Sequence, residues 1–136
     1  MIHLIYVSSA TNEMTDDELL YLLEQCRSRN LRQHVTGMLL YFERNFIQVL
    51  EGEKKDVEEI YDDIVDDDRN TGNILIAKEE IKERAFPGWS MGYKHITKGK
   101  KEELEEYTGF LDREMTPEQI AYKSTDVLIL LHSFKE

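Results

Sequence analysis

Residues 35–53, VTGMLLYFERNFIQVLEGE, constrain this chain more than any other stretch. Two apolar runs of strand length, 38–42 and 46–50, flank the polar break Glu43-Arg44-Asn45, so a β-hairpin leading straight into a helix is predicted. One residue does not fit the pattern. Side chains alternate across a strand, which puts Phe46, Gln48 and Leu50 on one face and Ile47 and Val49 on the other. Gln48 is therefore a carboxamide in an apolar row. A buried amide without partners costs about 1–3 kcal/mol, so a polar group has to meet it.

The chain has 136 residues, enough for one core and too few for two. With Lys+Arg 17 against Asp+Glu 28, its formal net charge is −11, which opposes a nucleic-acid or anionic membrane partner. Cys26 stands alone, so no internal disulfide can form and a cytoplasmic setting is expected, with the thiol as a small buried hydrophobe. No apolar run approaches the roughly 18 residues of a transmembrane helix, and the N-terminus lacks a signal-peptide layout.

Residues 1–7 are apolar on both faces and are placed centrally in a sheet. Residues 8–14 read as a polar loop. Thr15-Asp16-Asp17-Glu18 is a capping box, and the helix it opens carries Leu19, Leu20, Leu22, Leu23 and Cys26 before ending in Arg27-Ser28-Arg29-Asn30. Gly37 at the entry to the second strand permits close approach of a backbone or ligand. A second helix follows Gly52, with Val57, Ile60, Tyr61, Ile64 and Val65 at the spacing of a buried stripe. The acids 66–68 lack a calcium-loop spacing and are solvated helix-end charge. A fourth strand over 73–80 and a fifth over 89–94 complete the set, the latter with Trp89, Met91 and Tyr93 on one face.

This order predicts an α+β fold: a ferredoxin-like βαββαβ sandwich with a fifth strand and both helices on one sheet face. Helices over 102–111 and 117–134, the second opened by the capping box Thr116-Pro117-Glu118-Gln119, are expected to cap the opposite face. The domain organisation is then one folded unit over 1–95 and a helical extension over 96–136, packed on the sheet or at an interface.

Three polar residues fall on faces that should be dry: Tyr6, Gln48 and Asn30. Each alone reads equally as a structural residue, since a tyrosine body is apolar and asparagine commonly ends a helix. In a ferredoxin-like sheet, strands 1 and 3 are neighbours, so Tyr6 and Gln48 can meet on the helix side with Asn30 at the mouth. A cleft with apolar walls and convergent amides suits a flat, amide-bearing heterocycle. His3, His34, His95 and His132 show no metal-ligand spacing, and the chain has neither a glycine-rich phosphate loop nor a nucleophile elbow.

The segments L-I-Y-x-S-x-A (4–10), S-R-N (28–30), V-T-G-M-L-L-Y (35–41), F-I-Q-V-L-E-G-E (46–53), D-x-R (67–69) and F-P-G-W-S-M-G (86–92) together resemble the BLUF domain, a blue-light sensor using FAD. The resemblance spans residues 1 to about 94. It implies FAD as cofactor, with FMN or riboflavin as possible substitutes. Tyr6 matches the tyrosine that gives an electron and a proton to the excited flavin. Gln48 matches the glutamine between them, whose amide rearranges on illumination. Asn30 matches the asparagine at the carbonyl and imide edge of the ring, and Leu22 and Ile64 match its aliphatic clamps. Trp89 and Met91 match the fifth-strand pair that passes the signal on; the resemblance leaves open which of them lies beside Gln48 in the dark.

Arg29 stands where relatives often have asparagine or histidine, and Asn70 replaces a histidine frequent after D-x-R. Asp63 is acidic where some relatives are basic. Asp67 and Arg69 are therefore candidates, and no more, for the ribityl and phosphate end. Amide reversal at Gln48 would add a hydrogen bond to the flavin and move its absorption to the red, a switch rather than a reaction. The expected protein is a non-enzymatic cytoplasmic photoreceptor, a homo-oligomer without a fused output enzyme, signalling through strand 5 and the tail to a separate downstream protein. Two other readings stand beside it: a non-photoactive ferredoxin-like interaction module, and a small flavin-dependent reductase.

Overall fold

The computed structural model describes residues 1–42 and 44–96, with Phe42 and residues 94–96 described by their backbone alone. Its elements are β1 (Ile2–Ala10), α1 (Asp16–Arg32), β2 (Thr36–Phe42), β3 (Asn45–Gly52), α2 (Lys54–Asp66), β4 (Asn70–Glu80) and β5 (Gly92–Ile96). The strands form one sheet in the order β4-β1-β3-β2-β5. All neighbouring pairs are antiparallel except β2 and β5, which run parallel. This is the predicted ferredoxin-like order with a fifth strand added at the β2 edge, and β1 and β3 are its centre.

Several boundaries differ from the sequence reading. The first strand runs three residues past Val7, because Ser8, Ser9 and Ala10 are small enough to keep pairing with β3 and β4. That extension draws β4 back to start at Asn70, opposite Ala10. The helix α1 does not end at Arg27–Asn30. Its charged residues other than Arg29 face solvent, while Leu19, Leu23, Cys26 and Asn30 continue the buried stripe for another turn. It closes with His34 in the left-handed region (φ 57), where Val35 N–H bonds Asn30 O at 2.9 Å and His34 N–H reaches Leu31 O. Its N-terminal capping box at Thr15 and Glu18 forms as predicted. The hairpin turn is tighter than expected, with Asn45 already in β3 opposite Phe42 and Arg44 at φ 68.

The largest difference lies before β5. Trp89 and Met91 are not in a strand; β5 begins at Gly92. Gly88 at φ 80 and a Trp89 N–H bond to Phe86 O at 3.2 Å bend the chain there, so the period of two fails and the two side chains part.

One core fills the space between the helices and the sheet. Leu19, Leu23 and Cys26 from α1 and Val57, Ile60 and Ile64 from α2 pack on Leu4, Tyr6, Leu39, Phe46 and Leu50. Leu20 and Val65, included in the predicted stripes, are exposed. On the sheet face turned away from the helices, Ile5, Val7, Met38, Leu40, Ile47 and Val49 are also buried. The helical cap expected over 102–134 lies outside the described residues.

Candidate functional site

Registry brings the two central polar residues together. Gln48 on β3 sits directly opposite Tyr6 on β1 and Leu39 on β2. The Tyr6 hydroxyl donates to Gln48 Oε1 at 2.5 Å, and Gln48 Nε2 donates to the Met91 sulfur at 3.3 Å. Tyr6, Gln48 and Met91 are all buried. Burial pushes the Tyr6 phenol well above its ordinary pKa, with smaller upward contributions from Cys26 and Tyr61, so it is a protonated donor. The ring of Tyr61 on α2 lies 5.3 Å from that of Tyr6, tilted by 56°.

Between α1 and α2, above this pair, lies a cleft. Leu22 and Cys26 of α1 and Ile64 of α2 form its walls, and Tyr6, Ser8, Leu39, Phe46 and Gln48 form its floor. Gln25, Arg29, Asp67, Arg69 and Asn70 close the mouth over a void of about 50 Å³. Asp67 and Arg69 are a fork-like pair, with Arg69 Nε 3.0 Å from each carboxylate oxygen, and Arg69 also donates to Gln25 Oε1 at 2.7 Å. The hydrogen bonds from Arg69 hold the Asp67 carboxyl below its usual range.

The structure therefore gathers Tyr6, Leu22, Gln48, Ile64, Asp67 and Arg69 around one cleft. Asn30 is placed differently from expectation. It is inside α1 rather than at its end, is fully buried, and donates through Nδ2 to Ser90 O at 2.8 Å. Met91 is the residue beside Gln48. The Trp89 ring instead packs on Gly92 next to the Met38 sulfur, on the face away from the helices. Gly37 allows the close approach its position suggested, since a Cβ there would fall on the Val49 carbonyl.

Sequence reasoning missed several cleft residues. Ser8 shares the face of Tyr6 two positions on, which becomes visible once β1 is extended. Gln25 and Arg29 lie on the Leu22–Cys26 side of α1 at 3–4 spacing, a signal the apolar stripe obscured.

Three buried polar atoms of the cleft residues bear on what it can hold. Ser8 Oγ, Arg29 Nε and Asn70 Oδ1 have no hydrogen-bond partner among the described residues, and neither has Asn30 Oδ1 behind them in α1. Such atoms are costly unless satisfied, and the set contains both donors and acceptors. A planar heterocycle bearing carbonyls and ring nitrogens meets that requirement between apolar walls.

A family model for "sensors of blue-light using FAD", the BLUF family, matches residues 1–92. The chain is 35% identical over 89 residues to photoactivated adenylate cyclase subunit beta of Euglena longa, and 34% identical over 89 residues to the Euglena gracilis protein of that name. Each match covers 65% of this chain and 10% of the relative, so the chain spans about a tenth of the curated relatives it matches. Among solved structures, the dark state of the BLUF protein BlrB superposes with a TM-score of 0.74 at 28% identity, covering 96% of both chains. A bacterial light-regulated adenylyl cyclase does so with a TM-score of 0.69 at 27% identity, covering 98% of this chain and 39% of that one. The floor, walls and buried tyrosine–glutamine pair thus sit in a fold and sequence shared with light sensors, and the chain belongs to the BLUF family of blue-light sensors, whose chromophore is FAD.

Proposed function

We propose that this chain senses blue light by reversing the Gln48 amide between Tyr6 and a flavin held in the α1/α2 cleft. The single observation that carries the reading is the buried Tyr6 Oη–Gln48 Oε1 hydrogen bond at 2.5 Å beside that cleft. Leu22 and Ile64 would clamp the ring from either helix. Asn30 Oδ1, Arg29 Nε, Ser8 Oγ and Asn70 Oδ1 supply unpaired polar atoms, and Asp67 and Arg69 stand at the wet end. The half-exposed side chains at the mouth have to swing outward to admit a planar ligand. When bound, FAD supplies blue-light absorption and an excited state that accepts an electron.

The protein's own part is a transfer of hydrogen-bond polarity. In the dark arrangement Tyr6 holds its proton and gives it to Gln48 Oε1 as a hydrogen bond, while Nε2 faces the Met91 sulfur. Reversal of the amide exchanges these groups. Nε2 then faces Tyr6 Oη, and a carbonyl oxygen faces the sulfur, which can accept but not donate. Met91 loses its contact and the segment that carries it is pushed from its seat. That gives a mechanical output from a change that consumes no substrate.

The buried far face of the sheet supports packing of the extension 96–136 against it, which would connect this output to the tail. Self-association and hand-over to a separate downstream protein belong to the same proposal, as does a cytoplasmic setting, which the buried free thiol of Cys26 favours. The chain is read as a sensor and not as an enzyme.

The test is an absorption spectrum of the flavin-loaded protein before and after blue light. A reversible red shift of the flavin band is expected, and Gln48→Leu should abolish it. A normal photocycle in Gln48→Leu would sink the mechanism.

A further inference from the structure

The motif L-E-G-E contains a second buried polar residue that the light switch does not use. Glu51 is fully buried on β3, three residues beyond Gln48 and on the opposite face. It is the one carboxyl group among the buried polar side chains of the described residues. Its Oε1 accepts from the Phe86 N–H at 2.8 Å and from the Thr36 hydroxyl at 2.9 Å, and its Oε2 accepts from the Ala85 N–H at 2.8 Å. Arg84 locks the same corner, donating to Thr36 Oγ1 at 2.7 Å, to the Glu51 carbonyl at 2.9 Å and to the His34 carbonyl at 2.7 Å.

The segment fixed in this way is the one that carries Trp89 and Met91. Beyond Phe86 it is tied by the Trp89 carbonyl to Gly37 N–H at 3.0 Å, by the Ser90 carbonyl to Asn30 Nδ2 at 2.8 Å and by the Met91 carbonyl to Arg27 Nε at 2.9 Å. Its last side chain is the sulfur acceptor of Gln48. Two amides converging on one carboxyl group is an arrangement an acid can satisfy. A carboxamide cannot, because its NH₂ would face an N–H.

We propose that Glu51 is the positioning residue that seats Met91 against Gln48, anchoring the start of the 85–91 segment so that its far end stays beneath the switch. The inference rests on the reading of Met91 as the sensor of the amide, and it assigns that seat to a group on the opposite face of the same strand. Loosening the anchor lets Met91 yield to the reversed amide. The drive back to the dark arrangement then weakens, and thermal recovery slows.

The experiment compares flavin-loaded wild type with Glu51→Gln. The red shift is expected to persist, because the Tyr6–Gln48 pair is untouched. Dark recovery is expected to slow by about tenfold, the effect of losing about 1.4 kcal/mol of bias toward the dark arrangement. The chain has one tryptophan, so its emission reports Trp89 alone, and that emission should move to longer wavelength in the dark state of the variant. In a Met91→Ala background, Glu51→Gln should change recovery by less than about twofold, since coupled residues are non-additive. If Glu51→Gln does not fold, Thr36→Val, which removes one donor to the same carboxyl, should shift recovery and Trp89 emission in the same direction by a smaller factor. Recovery within twofold of wild type with unmoved Trp89 emission overturns the proposal, as does an effect of full size in Met91→Ala. A wild type that shows no red shift would instead break the light-switch reading, and the dark emission of Trp89 would still decide the role of Glu51.

Discussion

The two faces of β3 are built alike, and the proposed mechanism uses them differently. Toward the helices it presents Phe46, Gln48 and Leu50; away from them it presents Ile47, Val49 and Glu51, and all six are buried. Each face carries one polar side chain among apolar neighbours. Gln48 is held by one hydroxyl and one sulfur, both side-chain partners that can be exchanged by turning an amide. Glu51 is held by two backbone amides and a hydroxyl, and a carboxyl group has no alternative orientation that satisfies them better. In the proposed mechanism the group that moves has side-chain partners it can exchange, and the group that holds has backbone partners it cannot. The largest test of this contrast is Tyr6→Phe. It keeps the ring and removes the one strong partner of Gln48 Oε1, leaving a buried carbonyl oxygen unpaired at a cost of about 1–3 kcal/mol. The protein should still bind flavin, with its visible band present, while the light-induced red shift is lost entirely. A red shift retained in Tyr6→Phe would remove the helix-side face from the mechanism.

How much of this could be read in the sequence follows from the same geometry. The positions of Tyr6 and Gln48 were legible because both lie in regular strands, where a period of two and a hairpin register fix which side chains meet. Helical spacing put Leu22 and Ile64 in apolar stripes, and only the resemblance to BLUF domains made them clamps of a ring. The seat of Met91 was not. Residues 86–91 form an irregular bend, and whether Trp89 or Met91 turns toward β3 depends on Gly88 at φ 80 and on hydrogen bonds to Gly37, Asn30 and Arg27, far away in sequence. Asn30 was misjudged for a related reason. Polar residues at 27–30 look like a helix end, yet α1 runs on to Arg32 and the Asn30 amide donates to a carbonyl of another segment. The burial of Glu51 has no sign in the sequence, since a glutamate at a strand end ordinarily faces solvent.

If the far face of β3 is as dry as the helix face, equal truncations should cost alike. Leu50→Ala removes a fully buried side chain on the helix side, and Ile47→Ala removes one that is 3% exposed on the other. Each should lower unfolding free energy by about 2–5 kcal/mol, read from denaturant midpoints at constant m-value. A cost below about 1 kcal/mol for Ile47→Ala alone would show that the far face is wet in solution, and would weaken both the packing proposed for 96–136 and the isolation of Glu51.

A smaller effect comes from alkaline pH, and it touches only the helix side. Burial raises the phenols of Tyr6 and Tyr61, and it pushes Tyr93 up to about 12 with help from Asp16 and Tyr41. A phenol in the unfolded chain ionises near pH 10, about its ordinary value. Below that pH both states are neutral and these groups add no slope. As pH rises from about 10 toward 12 the unfolded chain sheds protons that the folded one keeps, so stability falls across that window. Burial raises the Cys26 thiol as well, so a gentle decline begins near the ordinary thiol range. The denaturant midpoint should then fall further above pH 10, with a shallower decline there in Tyr6→Phe than in wild type. Tyr93 and Tyr61 are half-exposed, and solvent screening reduces their share, so most of the difference between the two slopes belongs to Tyr6. An identical alkaline slope in wild type and Tyr6→Phe would mean that the phenol is reachable by hydroxide without unfolding. The pair with Gln48 would then not be the sealed hydrogen bond that distinguishes the switching face of β3 from the holding one.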